Sequence, residues 1–267
     1  MVGKPNLICI GAQKCGTTAL YVLLDQHPDC SVGRIKESRF FVDSTRFEFD
    51  RWQRGPGWYE ALYPTDARLV ADISPSYTMW PAFPGVPERA ASVLPDATIL
   101  YLVRDPVDRV VSHWRHWTWR RYERRPLEEA VRAHPEVYIV PTLYGLQLKQ
   151  WQDVYPASQL MVMHQREVRD GGLRLLERFG LAPAEQTGMR ANASDDKRID
   201  RFRFLPTRVH RRLPLAVRSR PVPDPDVSPA LRAWILEQVG ADVLEFEAST
   251  GVDVFREEHR AAVLAQP

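Results

Sequence analysis

The stretch that most constrains this chain is Leu7–Leu24, which reads LICIGAQKCGTTALYVLL. A short apolar run, Leu7 to Ile10, stops at Gly11. A loop carrying Lys14, Gly16, Thr17 and Thr18 follows, and apolar residues then recur at helical spacing (Leu20, Leu23, Leu24). A strand, a glycine loop and a helix start in that order make an anion cradle. Glycine lets the backbone wrap closely, the first N–H groups of the helix point into the loop, and the helix dipole favours negative charge. Lys14 adds a movable point charge and the threonines add hydroxyl donors. The stretch predicts binding of a group with phosphate-like oxygens.

The remainder of the chain reads as strands alternating with helices. Cys30–Val32 is a candidate short strand, Leu69–Ile73 a buried one, and Thr98–Val103 (TILYLV) the clearest, an apolar run suited to a parallel sheet covered on both faces. A further strand is expected over Gln159–His164. Helices are expected over Pro87–Val93, from Pro106, over Leu127–Ala133 and Leu143–Val154, from Gly172 to Phe179, and from Ser228-Pro229 to Phe246. Residues 43–66, rich in aromatic and charged side chains, suggest one or two short helices and a loop. Residues 186–227, rich in Arg and Pro, give no clear element. The pattern predicts one α/β domain over residues 1–267, of P-loop type, with a mainly parallel central sheet flanked by helices. Ligands of such sheets sit at the carboxyl ends of the strands. Gly11–Thr18, Ser74–Tyr77 and Arg104–Ser112 all follow strand ends, so they are candidates for one shared site.

Composition narrows the partners. The net charge of +2 on 267 residues is too small for general nucleic-acid binding. Only five of 36 basic residues are lysines, and two of those, Lys14 and Lys36, fall inside the motifs discussed here. Cys9, Cys15 and Cys30 show neither a paired framework nor metal-ligand spacing, which fits reduced thiols. The first apolar run is shorter than a signal peptide's core, and no stretch has the ~20 apolar residues of a membrane span. A soluble cytoplasmic protein is expected, with no integral membrane segment and no bound metal.

The loop resembles, but departs from, the nucleoside-triphosphate pattern of Gly, four residues, Gly, Lys, Ser or Thr. Gly11 and Gly16 keep the spacing, but Thr17 stands in the lysine slot and the lysine is at position 14. A kinase or nucleotidase using ATP would also draw on an acid at a strand end to hold Mg²⁺, and Asp72 and Asp105 are available. In the second motif, YLVRDPVDRVVS, Arg104 ends a strand and Ser112 lies about two helical turns on. Both could meet a phosphate; the plainer alternatives are helix-surface pairs, Arg104 with Asp108 or Asp105 with Arg109.

These residues together resemble the sulfotransferases that use 3′-phosphoadenylyl sulfate (PAPS). Gly11–Thr18 followed by Leu20 is similar to their 5′-phosphosulfate loop. Arg104–Arg109 through Ser112 is similar to their 3′-phosphate motif. Lys36-Glu37 with Phe40-Phe41, Ser74-Pro75-Ser76-Tyr77, and the segments Tyr144–Pro156 and Gln159–Val168 resemble the heparan-sulfate-type branch and its bacterial relatives. The likeness covers roughly residues 6–181. Ser38 stands where that branch has Pro after Lys-Glu, Ile73 stands where many members have Lys, and the family's C-terminal basic loop has Lys197-Arg198 as its best counterpart.

The resemblance implies transfer of a sulfuryl group from PAPS to an acceptor hydroxyl, leaving PAP, with no metal. The acceptor would be a carbohydrate or a glycosylated small molecule. Glu37 would be the general base, and Lys14 would meet the charge growing on the leaving phosphate. Gln13, Lys14, Cys15, Gly16, Thr17, Thr18, Arg104, Ser112, Lys197 and Arg198 would hold the nucleotide. A non-catalytic PAP- or nucleotide-binding module is the other reading besides a kinase. His113 is an alternative base, more simply read as a core or surface histidine. The Trp- and Arg-rich stretch 114–125 could line an acceptor cleft, or could set Trp inward and Arg outward on an ordinary helix.

Overall fold

The computed structural model describes residues 3–43, 50–64, 66–183, 198–200 and 219–266. Strand β1 (Leu7–Gly11) and helix α1 (Thr17–Asp25) form the opening unit. They are followed by β2 (Cys30–Ser31), α2 (Gly55–Glu60), β3 (Leu69–Ile73), α3 (Val86–Val93) and β4 (Thr98–Val103). Helix α4 (Pro106–Arg120) leads through α5 (Leu127–Ala133), α6 (Pro135–Tyr138) and α7 (Tyr144–Gln152) to β5 (Leu160–His164). Then come α8 (Gln165–Arg169), α9 (Leu173–Arg178), β6 (Arg198–Asp200), β7 (Ser219–Pro221), α10 (Pro229–Thr250) and α11 (Glu257–Leu264).

Strands β1 to β5 build one sheet in the order β2-β3-β1-β4-β5, and every pair in it is parallel. β1, β3 and β4 are buried along their whole length, which is why their sequences are mainly apolar and not alternating, with Asp72 of β3 as the buried charged exception. Because the strands run the same way, their carboxyl ends share one edge. The sequence expects a mainly parallel sheet; the antiparallel component is the small β6–β7 ribbon, which lies beside α4 in the stretch where the sequence gives no clear element.

Local chemistry explains the helix starts. Asp105 caps α4 by accepting from the Asp108 amide (3.1 Å), with Pro106 at the first helical position. Ser228 does the same for α10 through the Leu231 amide (3.1 Å), followed by Pro229. α10 buries Leu231, Ile235, Val239, Val243 and Phe246, a stripe at helical spacing, and packs on α4 and α7. Asp242 of α10 accepts from the amides of Gly145 and Leu146 (2.9 and 2.8 Å), anchoring the start of α7. Among the described residues, no helix is long and apolar enough to cross a membrane.

Candidate active site

The anion loop lies where β1 ends. Gly16 caps α1 with φ +93° and, among the described residues, no N-cap side-chain hydrogen bond forms there, so the first amides of α1 have neither an intrahelical acceptor nor a side-chain cap. Lys14 also takes the left-handed conformation (φ +71°), uncommon for a residue with a Cβ. The loop is held from below by Arg109. This guanidinium is fully buried and donates to the Gln13 carbonyl (3.2 Å), the Tyr138 carbonyl (2.9 Å) and Thr142 Oγ1 (3.2 Å). The surface pair Asp105–Arg109 therefore does not form; Arg109 is a structural support of the loop. Gln13 turns its side-chain amide to Met79 Sδ. Cys15 is buried against the Tyr144 hydroxyl (3.6 Å), and burial pushes its thiol up despite the opposing charges of Arg109, Arg104 and Lys14. Thr17 is buried, and Thr18 Oγ1 accepts from Lys36 Nζ at 3.1 Å.

That last bond matters for the site, because it docks the Lys36-Glu37 segment onto the loop. Glu37 has φ +59° and Arg39 φ +49°. The Glu37 Oε2 is engaged by Arg39 Nη2 (2.9 Å). Behind the segment lies Asp72, fully buried at the end of β3 and receiving four hydroxyl bonds. Ser74 donates to Oδ1 (2.7 Å), while Ser38 (2.8 Å), Tyr77 (2.9 Å) and Tyr59 (3.0 Å) donate to Oδ2. Burial raises the Asp72 carboxyl above its ordinary value, with the four hydroxyls opposing it. Phe40 and Phe41 are buried among Trp52, Tyr59 and Tyr77, so the aromatic residues of this region build a wall behind Glu37.

Arg104 follows β4. It forms the helix-type pair with Asp108 (3.3 Å), while its Nε is buried with no hydrogen-bond partner among the described residues. Asp108 also receives Arg256 (2.6 Å), and Ser112 lies one turn farther along the same face of α4. Asp105 is tied to α11: His259 Nδ1 donates to Oδ2 at 2.7 Å, and the Arg256 amide donates to the same oxygen at 3.1 Å. Burial works to raise the Asp105 carboxyl, but these bonds and the His259 charge win and hold it below the usual carboxylate value. Asp72 and Asp105, the two acids offered for a Mg²⁺ site, are thus both committed to internal hydrogen bonds.

Lys197 lies outside the described residues. Arg198 opens β6, its backbone opposite Pro221. His113 is buried against Trp117 and Tyr138, and burial, with the charges of Arg109 and Lys14, holds it well below its ordinary pKa; it is a core histidine. In the Trp- and Arg-rich stretch, Trp114 donates to the Arg125 carbonyl (3.0 Å), Trp117 packs on Tyr122 and Tyr138, and Arg115 pairs with Asp224 (2.9 Å). Trp114 thus faces inward, as the packing reading expects, whereas Arg115 is largely buried and does not simply point outward. Three residues at the site's edge emerge only in three dimensions: Lys36 on Thr18, Ser38 on Asp72, and Arg256 on Asp108. Lys36 and Ser38 lie in a recognisable motif, whereas Arg256 sits far along the chain with no local signal.

Comparison with known proteins fits this geometry. Residues 4–169 match the sulfotransferase domain family model. The bifunctional heparan sulfate N-deacetylase/N-sulfotransferase 1 of Mus musculus is 28% identical over 193 residues, covering 65% of this chain and 21% of that protein. The Homo sapiens N-deacetylase/N-sulfotransferase 3 is 29% identical over 184 residues, covering 62% of this chain and 20% of that protein. The chain thus spans about a fifth of the length of these relatives. The crystal structure of a sulfotransferase from Alicyclobacillus acidocaldarius superposes with a TM-score of 0.69 at 23% identity, covering 95% of this chain and 98% of that one, a likeness of fold.

Proposed function

The chain belongs to the sulfotransferase domain family, and from that premise we propose that it transfers a sulfuryl group from PAPS to a hydroxyl of a carbohydrate or glycosylated small molecule. The observation that carries this reading is the Lys36–Thr18 bond, which brings the Glu37 segment to the helix start that would hold the 5′-phosphosulfate. The donor fits the residues present. The uncapped start of α1 and the partnerless buried Nε of Arg104 are N–H donors of the kind that phosphate oxygens satisfy.

In this reading the amides of Gly16, Thr17 and Thr18, with Gln13 and Cys15 shaping the loop, hold the 5′-phosphate. Arg104 and Ser112 take the 3′-phosphate, and Lys197-Arg198 belong to the same nucleotide site. Glu37 accepts the proton of the acceptor hydroxyl as the oxygen–sulfur bond forms, and the bond from sulfur to the leaving phosphate oxygen breaks. Lys14 and the loop amides stabilise the charge that grows on that oxygen. The Arg39 bond occupies one acceptor site of Glu37 Oε2 and leaves acceptor capacity on the carboxylate for the proton. An amino group as acceptor is a second reading, favoured by the N-sulfotransferase names of the relatives.

The test is transfer of labelled sulfate from PAPS to a panel of hydroxyl and amino sugars, run beside ATP·Mg²⁺. Glu37→Gln is expected to abolish transfer and leave PAP affinity, measured by calorimetry, unchanged. Transfer that survives at normal PAP affinity removes Glu37 from the role of base. Tight PAP binding with no transfer to any acceptor favours the binding module.

A further inference from the structure

We propose that Ser38 and Asp72 are positioning residues that hold Glu37 in its reactive geometry, through a buried hydroxyl–carboxylate cluster beneath the 37–41 segment. The inference rests on the reading of Glu37 as the base.

Glu37 and Arg39 both have left-handed backbone conformations, which are disfavoured for a residue with a Cβ. Such a segment keeps its shape only where its surroundings over-determine it. Here the two residues that follow Glu37 are tied to the Asp72 cluster. Ser38, fully buried, donates to Asp72 Oδ2 (2.8 Å), lies 3.1 Å from the Tyr77 hydroxyl, and accepts from the Phe40 amide (3.3 Å). The Arg39 amide donates to Ser74 Oγ (3.1 Å), which itself donates to Asp72 Oδ1 (2.7 Å). Arg51 Nη1 closes the arrangement by donating to the carbonyls of Glu37 (3.2 Å) and Ser38 (2.5 Å).

The chemistry of the cluster suits positioning better than proton transfer. Asp72 is buried behind Ser38, and its Oδ2 already takes three hydroxyl donors, so it neither meets a substrate nor has reason to exchange protons with one. What it supplies is a fixed anchor at the end of β3, the strand paired directly with β1 and therefore with the anion loop. The base and the loop are thereby referenced to the same two adjacent strands. A serine at position 38 is what makes the link, because a proline there would supply neither the hydroxyl nor its two bonds.

The experiment compares Ser38→Ala with Asn6→Ala. Asn6 bridges the Arg68 carbonyl and the Val70 amide at the opposite end of β3, so its loss destabilises the same strand away from the site. Ser38→Ala is expected to lower kcat tenfold or more, with KM for PAPS and PAP affinity within twofold of the parent. Asn6→Ala is expected to lower the melting temperature to a similar or greater extent with kcat within twofold. Asp72→Asn, isosteric with the native residue, repeats the kcat loss and serves if Ser38→Ala does not fold. Full kcat in both Ser38→Ala and Asp72→Asn, alongside an inactive Glu37→Gln, overturns the positioning role and leaves the base intact. Transfer surviving in Glu37→Gln overturns both.

Discussion

Replacing Gly11 with alanine tests whether the anion loop and the turn after β3 are locked against each other. A Cβ at Gly11 would fall 2.0 Å from Thr78 Oγ1, 3.2 Å from Thr78 Cβ and 3.4 Å from the Pro75 carbonyl oxygen. Thr78 Oγ1 donates to the Ile10 carbonyl (3.2 Å), so the hydroxyl has to leave that bond to make room, at a cost of about 1 kcal/mol. Crowding against the turn adds roughly 1–3 kcal/mol, because backbone and a β-branched side chain give way less readily than a flexible one. The φ of +154°, available to glycine, adds about 1 kcal/mol. Together these give about 3–5 kcal/mol, and at roughly 2–4 °C per kcal/mol for a chain near this size the midpoint falls by ~10 °C. Calorimetric or circular-dichroism melting reads this directly. Thr78→Ala removes the nearest atom, so the Gly11→Ala cost on that background should shrink by about 1 kcal/mol or more. A Gly11→Ala protein melting within 2 °C of the parent refutes the argument, because the two loops would then move apart freely.

Two further outcomes follow from the site. Arg104→Ala is expected to weaken PAP binding about 10- to 100-fold, the loss of one or two charge-assisted bonds, with little change in melting because Asp108 keeps Arg256; unchanged affinity in calorimetry sinks the 3′-phosphate assignment. His164, at the carboxyl end of β5, accepts from the Arg166 amide through Nδ1 (3.2 Å), and burial with the Arg166 and Arg104 charges pushes its pKa down to about 4. Between that value and the unfolded ~6.5 the unfolded chain alone holds the proton, so stability rises with pH across this window, on the order of 2–3 kcal/mol. His164→Asn preserves a capping acceptor and should flatten that rise in pH-dependent denaturation; an unaltered slope removes His164 as its source.

The parts of this molecule that depend on local sequence were legible in it. β3 and β4 fall on the expected apolar runs, Leu69–Ile73 and Thr98–Val103, because strands buried on both faces carry no competing pattern. The anion loop and the start of α4 were legible because glycine, proline and capping residues act within a few positions of themselves. Long-range pairing was not. Asp72 and Asp105 read as available acids, yet one is satisfied by hydroxyls from three separate segments and the other by a histidine in the last helix. Arg109 reads as a surface partner of Asp105, and the acceptors that hold it buried come from Gln13, Tyr138 and Thr142, far from it in sequence. Helix α11 and the β6–β7 ribbon lacked a distinct local signature, and both are placed by what they pack against.

The bond between His259 and Asp105 joins residues 154 positions apart, and it completes the cap at the start of the helix that carries Ser112. On a ribosome adding about 5–20 residues per second, Asp105 is synthesised roughly 8–30 s before that histidine exists. Until then Asp105 and Asp108 lack the α11 contacts that fix them, and Arg104 has a less settled neighbour. The start of α4 therefore takes its final set of partners only once residues 256–259 have been made.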